Sequence, residues 1–368
     1  MSVFLTNSSW NITNEATKSL RMHGISSVAG DVRAPITNLF YETKFVKYPP
    51  HDYNNFIECL YDICLENNVD SIFPMSDELA VQLSKNKPIL NKICEVPIAD
   101  YGQLSKTHDK FETYVVAKSL GIPVPETFVF SDIHELTDFG ETASYPLIMK
   151  PRMGGGASKH LRIIKSKQEL INGYSYYLSI GCLPIIQEYI PGSSEQMHMV
   201  NVLFDKKHDL SAYFMAKKIR EYPLSGGITS CGISIFEPIL LEYAKKIFHT
   251  LEWYGVAEIE FKLDLRTNEF KLIEINPRFW QYLKLPISCG VDFPFLLHEV
   301  AMGNEIDQIS NYKIGVKYIN IFKDVLSFSN YLMNSNSKKE SIKKIVKSYS
   351  GEKVYSYKNL SHSIMWRL

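Results

Sequence analysis

Val256-Ala257-Glu258-Ile259-Glu260-Phe261-Lys262-Leu263-Asp264 and Lys271-Leu272-Ile273-Glu274-Ile275-Asn276-Pro277-Arg278 alternate apolar and polar residues. That alternation is the pattern of strands with one buried face. Glu274 and Asn276 are two residues apart and project from the same face of their strand. Glu260 precedes Glu274 by fourteen residues, so a hairpin lets the two carboxylates face each other. Three oxygen ligands without imidazole or thiolate suit Mg2+, with Mn2+ as an alternative, because such an ion keeps phosphate and water in its remaining positions. Polar faces are common in antiparallel sheets. Two Glu and an Asn sharing one face before a Pro-Arg turn nevertheless point to a metal site. Arg278 follows a proline that fixes its turn, and a guanidinium suits a transferring phosphoryl group or a substrate carboxylate.

Upstream, Lys150-Pro151-Arg152-Met153-Gly154-Gly155-Gly156-Ala157-Ser158 is a glycine run between two strand patterns. Such a run can curl so that backbone N–H groups face an anion, and Lys150 stands where its ammonium can reach a phosphate. The Gly-Lys-Ser/Thr helix opening of a Walker loop is missing. Gln187-Glu188-Tyr189-Ile190-Pro191-Gly192-Ser193-Ser194-Glu195 reads as a strand edge and a turn. Its Glu-Tyr-Ile backbone can meet an adenine edge, and Glu195 can accept from ribose hydroxyls; a plain strand and turn is the competing reading. Lys217, Lys218 and Arg220 form a basic cluster before the loop Pro223-Leu224-Ser225-Gly226-Gly227.

The first hundred residues alternate strand and helix patterns. Val3–Thr6, Ile25–Ala29 and Val69–Pro74 read as strands, Thr13–Met22 and Phe56–Glu66 as helices, with Ser76 capping a further helix. This implies a parallel, doubly wound sheet. Its first loop, Asn7-Ser8-Ser9-Trp10-Asn11, has no glycine, which argues against pyrophosphate binding there. Ser76-Asp77-Glu78, at the carboxyl end of a strand, is a candidate contributor to an acceptor pocket. Gly121-Ile122-Pro123-Val124-Pro125 enforces extended backbone and marks entry into a new unit. Beyond it, strands of antiparallel type dominate, with Phe236–Leu251 helical.

Composition bounds the class. Formal net charge is zero, so nothing global favours nucleic acid or an anionic membrane. Residues 338–368 hold eight Lys/Arg against two Glu, which reads as a solvated helix and tail. The six cysteines form no Cys-x-x-Cys pair, so a zinc knuckle or redox dithiol is not expected. There is no signal-peptide pattern and no apolar run near the ~18 residues of a spanning helix. A cytoplasmic protein without a membrane span is the expectation.

In their order along the chain, these elements resemble the ATP-grasp superfamily, especially the branch of the carbamoyl-phosphate-synthase large subunit and biotin carboxylase. The resemblance runs from about Val3 to Gly303. It rests on Asp109-Lys110, the Gly-x-Pro-x-Pro entry, the Lys-Pro…Gly-Gly-Gly loop, Gln-Glu-Tyr-Ile-Pro-Gly and Glu-Ile-Asn-Pro-Arg. It implies a mixed α/β and α+β fold. Residues 1–105 would form a doubly wound parallel-sheet domain and 106–304 a two-lobed ATP-grasp unit with antiparallel sheets, its nucleotide lobe near 120–190. Residues 305–368 would be a basic extension. Lys110 and Lys150 would touch ATP phosphates under a loop of Gly154, Gly155, Gly156 and Ser158. Glu188, Tyr189 and Ile190 would meet adenine and Glu195 ribose. Glu260, Glu274 and Asn276 would bind Mg2+, and Arg278, assisted by Arg220 or Lys218, would stabilise an acyl phosphate.

The resemblance thus implies an enzyme joining a small-molecule carboxylate to an amine with release of ADP and phosphate. A homo-oligomer is compatible with it. A bicarbonate-activating enzyme and a nucleotide-binding module without turnover are the alternatives.

Overall fold

The computed structural model describes residues 1–33, 43–154, 160–224, 226–333, 342–343 and 346–356. Three sheets organise the described chain. The first holds β1 (Ser2–Leu5), β2 (Ser26–Asp31), β3 (Lys44–Lys47) and β4 (Ser71–Phe73), all parallel, in the order β3-β2-β1-β4. Val3, Phe4 and Leu5 are fully buried, as a central strand between two helical layers demands. The doubly wound expectation holds for this sheet. The short, polar β3 escaped the sequence pattern, because its Lys-Phe-Val-Lys shows no buried face.

The second sheet contains β5 (Thr127–Phe128), β6 (Leu147–Pro151), β7 (Arg162–Ile164) and β8 (Pro184–Glu188), antiparallel in the order β5-β8-β6-β7. Helices Ile133–Thr142 and Lys167–Ser179 cover it, a feature the strand-dominated expectation lacked. Both start at side-chain caps. Asp132 accepts from the N–H groups of His134 and Glu135, and Ser166 accepts from that of Glu169. Leu136, Met149, Leu170, Tyr174, Tyr177 and Ile186 make a core confined to this lobe.

The third sheet has β9 (Met197–Phe204), β10 (Leu210–Tyr222), β11 (Ile228–Ile235), β12 (Gly255–Asp264), β13 (Glu269–Asn276), β14 (Lys317–Asn320) and β15 (Lys353–Ser356). The order is β13-β12-β9-β10-β11-β14-β15, antiparallel except for the last pair. The basic C-terminal stretch therefore contributes a strand as well as helix, and helix Ile321–Met333 lies on β10 and β11. Residues 334–341 and 357–368 fall outside the described chain.

The first and third sheets share one core, in which Phe4, Phe56, Val96 and Ile98 join Phe204, Phe248, Trp253 and Ile259. A backbone bridge links Ile98 to Gly255 at their junction. Gly255 has φ +94°, and a Cβ there would lie 2.2 Å from the Pro97 carbonyl oxygen. Gly255→Val is accordingly expected to cost about 2–4 kcal/mol, from left-handed strain and collision with backbone. Urea unfolding would check this; an unchanged midpoint would show that the junction adapts.

Candidate functional site

The β12–β13 hairpin pairs Glu260 with Glu274 and Glu258 with Asn276. Between Glu260 and Phe261 the register shifts, because Leu272 rather than Ile273 faces Phe261. Ile273 is thus a bulged residue. Its carbonyl accepts from the Tyr114 hydroxyl at 2.5 Å, and the same hydroxyl accepts from Lys150 Nζ at 3.0 Å. The bulge thereby ties the hairpin to helix Lys110–Ser119 and to β6.

Glu258, Glu260, Glu274 and Asn276 all line a cleft of about 610 Å3 between the second and third sheets. Lys110 and Lys150 line the same cleft. Lys110 donates to the Gly154 carbonyl at 2.8 Å, and Gly154 reaches that position with φ +63°. Gly155, Gly156 and Ser158 lie outside the described residues, as does Ser225 of the later loop.

Charge is strongly organised here. Burial lowers the Lys150 ammonium from its ordinary 10.5 to about 8, although Glu274 and Glu260 oppose the shift. Burial would raise the Glu274 carboxyl, but Lys110, Lys150, Lys218 and Arg278 together hold it below its usual value. Burial and the neighbouring Glu260 lift Glu258. Glu258 accepts from Tyr282 Oη at 2.8 Å and from Asn276 Nδ2 at 3.2 Å. No three His, Cys, Asp or Glu side chains among the described residues form a metal cage. A cation at the hairpin would therefore take Glu260, Glu274 and the Asn276 amide, then phosphate or water oxygens. That oxygen-only donor set fits Mg2+.

Arg278 projects into the cleft but is already held. Its Nε lies 3.1 Å from Asp77 Oδ1, and its Nη2 donates to Asp77 Oδ2 and Asn276 Oδ1, each at 3.2 Å. Asp77 begins helix Asp77–Lys85, with Ser76 as its cap. The first sheet thus sends a carboxylate to the β12–β13 hairpin, the neighbourhood that Ser76-Asp77-Glu78 suggested.

Other expected residues are placed differently. Lys218 lines the cleft, 3.3 Å from Glu260 Oε2 and 3.5 Å from Glu221 Oε2. Arg220 does not line it and is instead buried against Asp324 behind the sheet. The reason is a bulge in β10, since Lys218 faces Gly232 while Arg220 faces Cys231. One extra residue reverses which face a side chain takes. Glu188 lines the cleft, yet its carboxylate is occupied by Lys271 and by Arg266 at 3.2 Å. Tyr189 and Ile190 also line it, with Lys262 Nζ donating to the Ile190 carbonyl at 2.8 Å. Glu195 is exposed on the short turn Ser194–Gln196, outside the lining.

Several lining residues were not selected from sequence: Trp10, His108, Glu221, Lys262 and Tyr282. Glu258 was quoted only as part of its strand. A signal existed for it, because it shares a face with Glu260 by the same two-residue spacing that selected Glu274 and Asn276. Trp10 and His108 sit in loops and helix ends, where periodicity carries no information.

Residues 107–281 match the ATP-grasp domain family. The D-aspartate ligase of Enterococcus faecium (strain Aus0004) is 25% identical over 247 residues, covering 61% of this chain and 58% of that protein. The chain thus spans under two thirds of that relative's length. A biotin carboxylase–β-γ-ATP complex from Campylobacter jejuni superposes with TM-score 0.71 at 15% identity, over 86% of this chain and 74% of that one. The N5-carboxyaminoimidazole synthetase of Staphylococcus aureus gives 0.70 at 15% identity, over 95% and 97%. At these identities the solved structures show the fold, a mixed α/β arrangement with one parallel and two largely antiparallel sheets. No described helix is long and apolar enough to cross a membrane.

Proposed function

With residues 107–281 an ATP-grasp domain, we propose that the chain is an ATP-dependent ligase joining a carboxylate to an amine through an acyl phosphate. The observation that carries this is the pairing of Glu260 with Glu274 and of Glu258 with Asn276, in one cleft with Lys110 and Lys150. The similarity to a D-aspartate ligase supports an amino-acid substrate.

In this proposal the substrate carboxylate attacks the γ-phosphoryl group of ATP, breaking its bond to the bridging oxygen and freeing ADP. An amine then attacks the acyl phosphate, forming an amide and releasing phosphate and a proton. Lys110 and Lys150 hold the nucleotide phosphates, while the backbone at Tyr189 and Ile190 meets adenine. Glu188 acts there as a neutralised member of an ion-pair group rather than as a free acceptor. Ribose falls to the turn that carries Glu195. Mg2+, held by Glu260, Glu274 and Asn276, would supply charge neutralisation to the phosphates. Arg278 and Lys218 are the cations placed to contact the γ-phosphoryl group, first in bound ATP and then in the acyl phosphate, and to stabilise its charge. Asp77 fixes the direction of Arg278, so that less reorganisation is needed during reaction.

The test is ATP-dependent phosphate release across a panel of amino acids and carboxylic acids, each with candidate amines, followed by product mass. Release requiring one acid and one amine, with a product mass equal to their sum less water, is expected. A bicarbonate arm separates out the carboxylase-like alternative. ATP binding without turnover under every arm would overturn the ligase proposal.

A further inference from the structure

We infer that Arg220 is a positioning residue: its ion pair with Asp324 holds the β10 bulge that turns Lys218 and Glu221 into the cleft. Helix Ile321–Met333, which does not line the cleft, then belongs to the working parts of the site. This inference rests on the ligase proposal for the role of Lys218.

The register carries the case. From Met215 to Lys218, β10 pairs one for one with Ile235 to Gly232 of β11. Arg220 then faces Cys231, and Glu221 faces Thr229. In an unbroken strand Arg220 would share the face of Lys218, and Glu221 would point away. The extra residue inverts this, so that Lys218 and Glu221 both line the cleft while Arg220 goes behind. A strand does not shift phase without something to hold the displaced side chains.

Behind the sheet the displaced arginine is saturated. Arg220 Nε and Nη2 donate to the two Asp324 oxygens at 2.8 and 2.7 Å, and Nη1 donates to Ser348 Oγ at 2.6 Å. Asp324, with no exposed surface, also accepts from Ser230 Oγ at 3.1 Å and Tyr349 Oη at 2.5 Å. Ser327 Oγ of the same helix donates to the Glu221 carbonyl at 2.9 Å. Helix Ile321–Met333 therefore grips consecutive residues of the bulge.

A buried ion pair contributes little net stability compared with apolar residues of similar size, since desolvation offsets the attraction. What it supplies here is a single register. On the cleft side that register sets the contacts of Lys218 with Glu260, with Glu221 and with the Gly227 carbonyl at 3.2 Å.

The test uses the full chain and MgATP as the calorimetric ligand. Arg220→Leu/Asp324→Leu removes the pair without leaving an orphaned charge, and Lys218→Met serves as reference. Each is expected to weaken MgATP binding by about tenfold, the loss of one charge-assisted contact. Combined, they should be no worse than either alone, because they act through one group. Additive losses would make Arg220 merely structural and overturn the inference. So would wild-type affinity in the folded double variant beside a weakened Lys218→Met. If Lys218→Met itself binds and turns over normally, it is the ligase proposal's assignment of Lys218 that fails. Should Arg220→Leu/Asp324→Leu not fold, the same cycle is run with the neutral pair Arg220→Met/Asp324→Asn, which also leaves no orphaned charge, with the same criteria.

Discussion

Glu274→Gln is expected to reduce ATP-dependent phosphate release by at least ~1,000-fold in a protein that remains folded. Glutamine keeps the shape and one acceptor oxygen but removes the charge. Lys110, Lys150, Lys218 and Arg278 all act on that carboxylate. Without it, four cations face the cleft with Glu260 and Glu258 as the remaining hairpin carboxylates. With Glu274 as the proposed metal ligand, its lost charge would remove stabilisation from the phosphoryl transition state, for which several kcal/mol is an ordinary magnitude. Glu274→Ala adds an unfilled space and more exposed repulsion, so it should lose stability as well. Phosphate release measured beside thermal unfolding separates the two effects. A folded Glu274→Gln protein with full turnover would sink the metal assignment.

Lys150→Met is expected to weaken ATP binding about 30- to 100-fold while making the ligand-free protein more stable. The two effects have one origin. The ammonium is buried, and its pKa falls from 10.5 to about 8. At pH 7 it is charged in both folded and unfolded chains, and keeping it charged in the fold costs on the order of 3 kcal/mol. Methionine removes that cost. The net gain is about 1–2 kcal/mol, because the hydrogen bond from Lys150 to the Tyr114 hydroxyl is lost as well. Between about pH 8 and 10.5 the unfolded chain binds more protons at this position than the folded one. Wild-type stability should therefore rise with pH across that window. The Lys150 contribution to the slope should vanish in Lys150→Met, which urea unfolding across that window would check. An unchanged slope would show that the lysine is not the group responsible. The ATP effect, read by calorimetry, follows from losing a charge-assisted phosphate contact.

The sequence carried the hairpin well. Period-two alternation and the fourteen-residue spacing were enough to place Glu260 opposite Glu274, since antiparallel pairing leaves few registers that bury Ile259 and Ile275. The parallel sheet was legible for a similar reason, as Val3-Phe4-Leu5 is a short apolar run between helical patterns. Arg220 was misplaced because a bulge leaves no mark in composition: Lys-Lys-Ile-Arg-Glu sets paired polar residues on both sides of Ile219 and so assigns no face to any of them. Glu188 is expected from sequence at the adenine edge, and its ion pairs are not legible there because Lys271 and Arg266 lie about eighty residues away. The two helices over the second sheet had local signals in Asp132 and in Ser166 with Glu169, but the strands around them dominated the pattern. Trp10 and His108 meet at the cleft only through tertiary packing.

The second sheet keeps its own small core, whereas the first and third share a large one. The second sheet is joined to the rest by Ile185, buried in the large core, by the Lys150–Tyr114–Ile273 chain, and at the cleft rim by Glu188 with Lys271 and Arg266 and by Lys262 reaching the Ile190 carbonyl. The rim contacts are polar, and Arg266 is half exposed. Ions in solution screen such contacts while leaving apolar packing almost untouched. The molecule is thus expected to be unevenly sensitive to its medium, with salt loosening the rim at Glu188 and Arg266 before it loosens the buried contacts behind it. Ionic strength would then act first on one edge of the cleft, and only later on the fold.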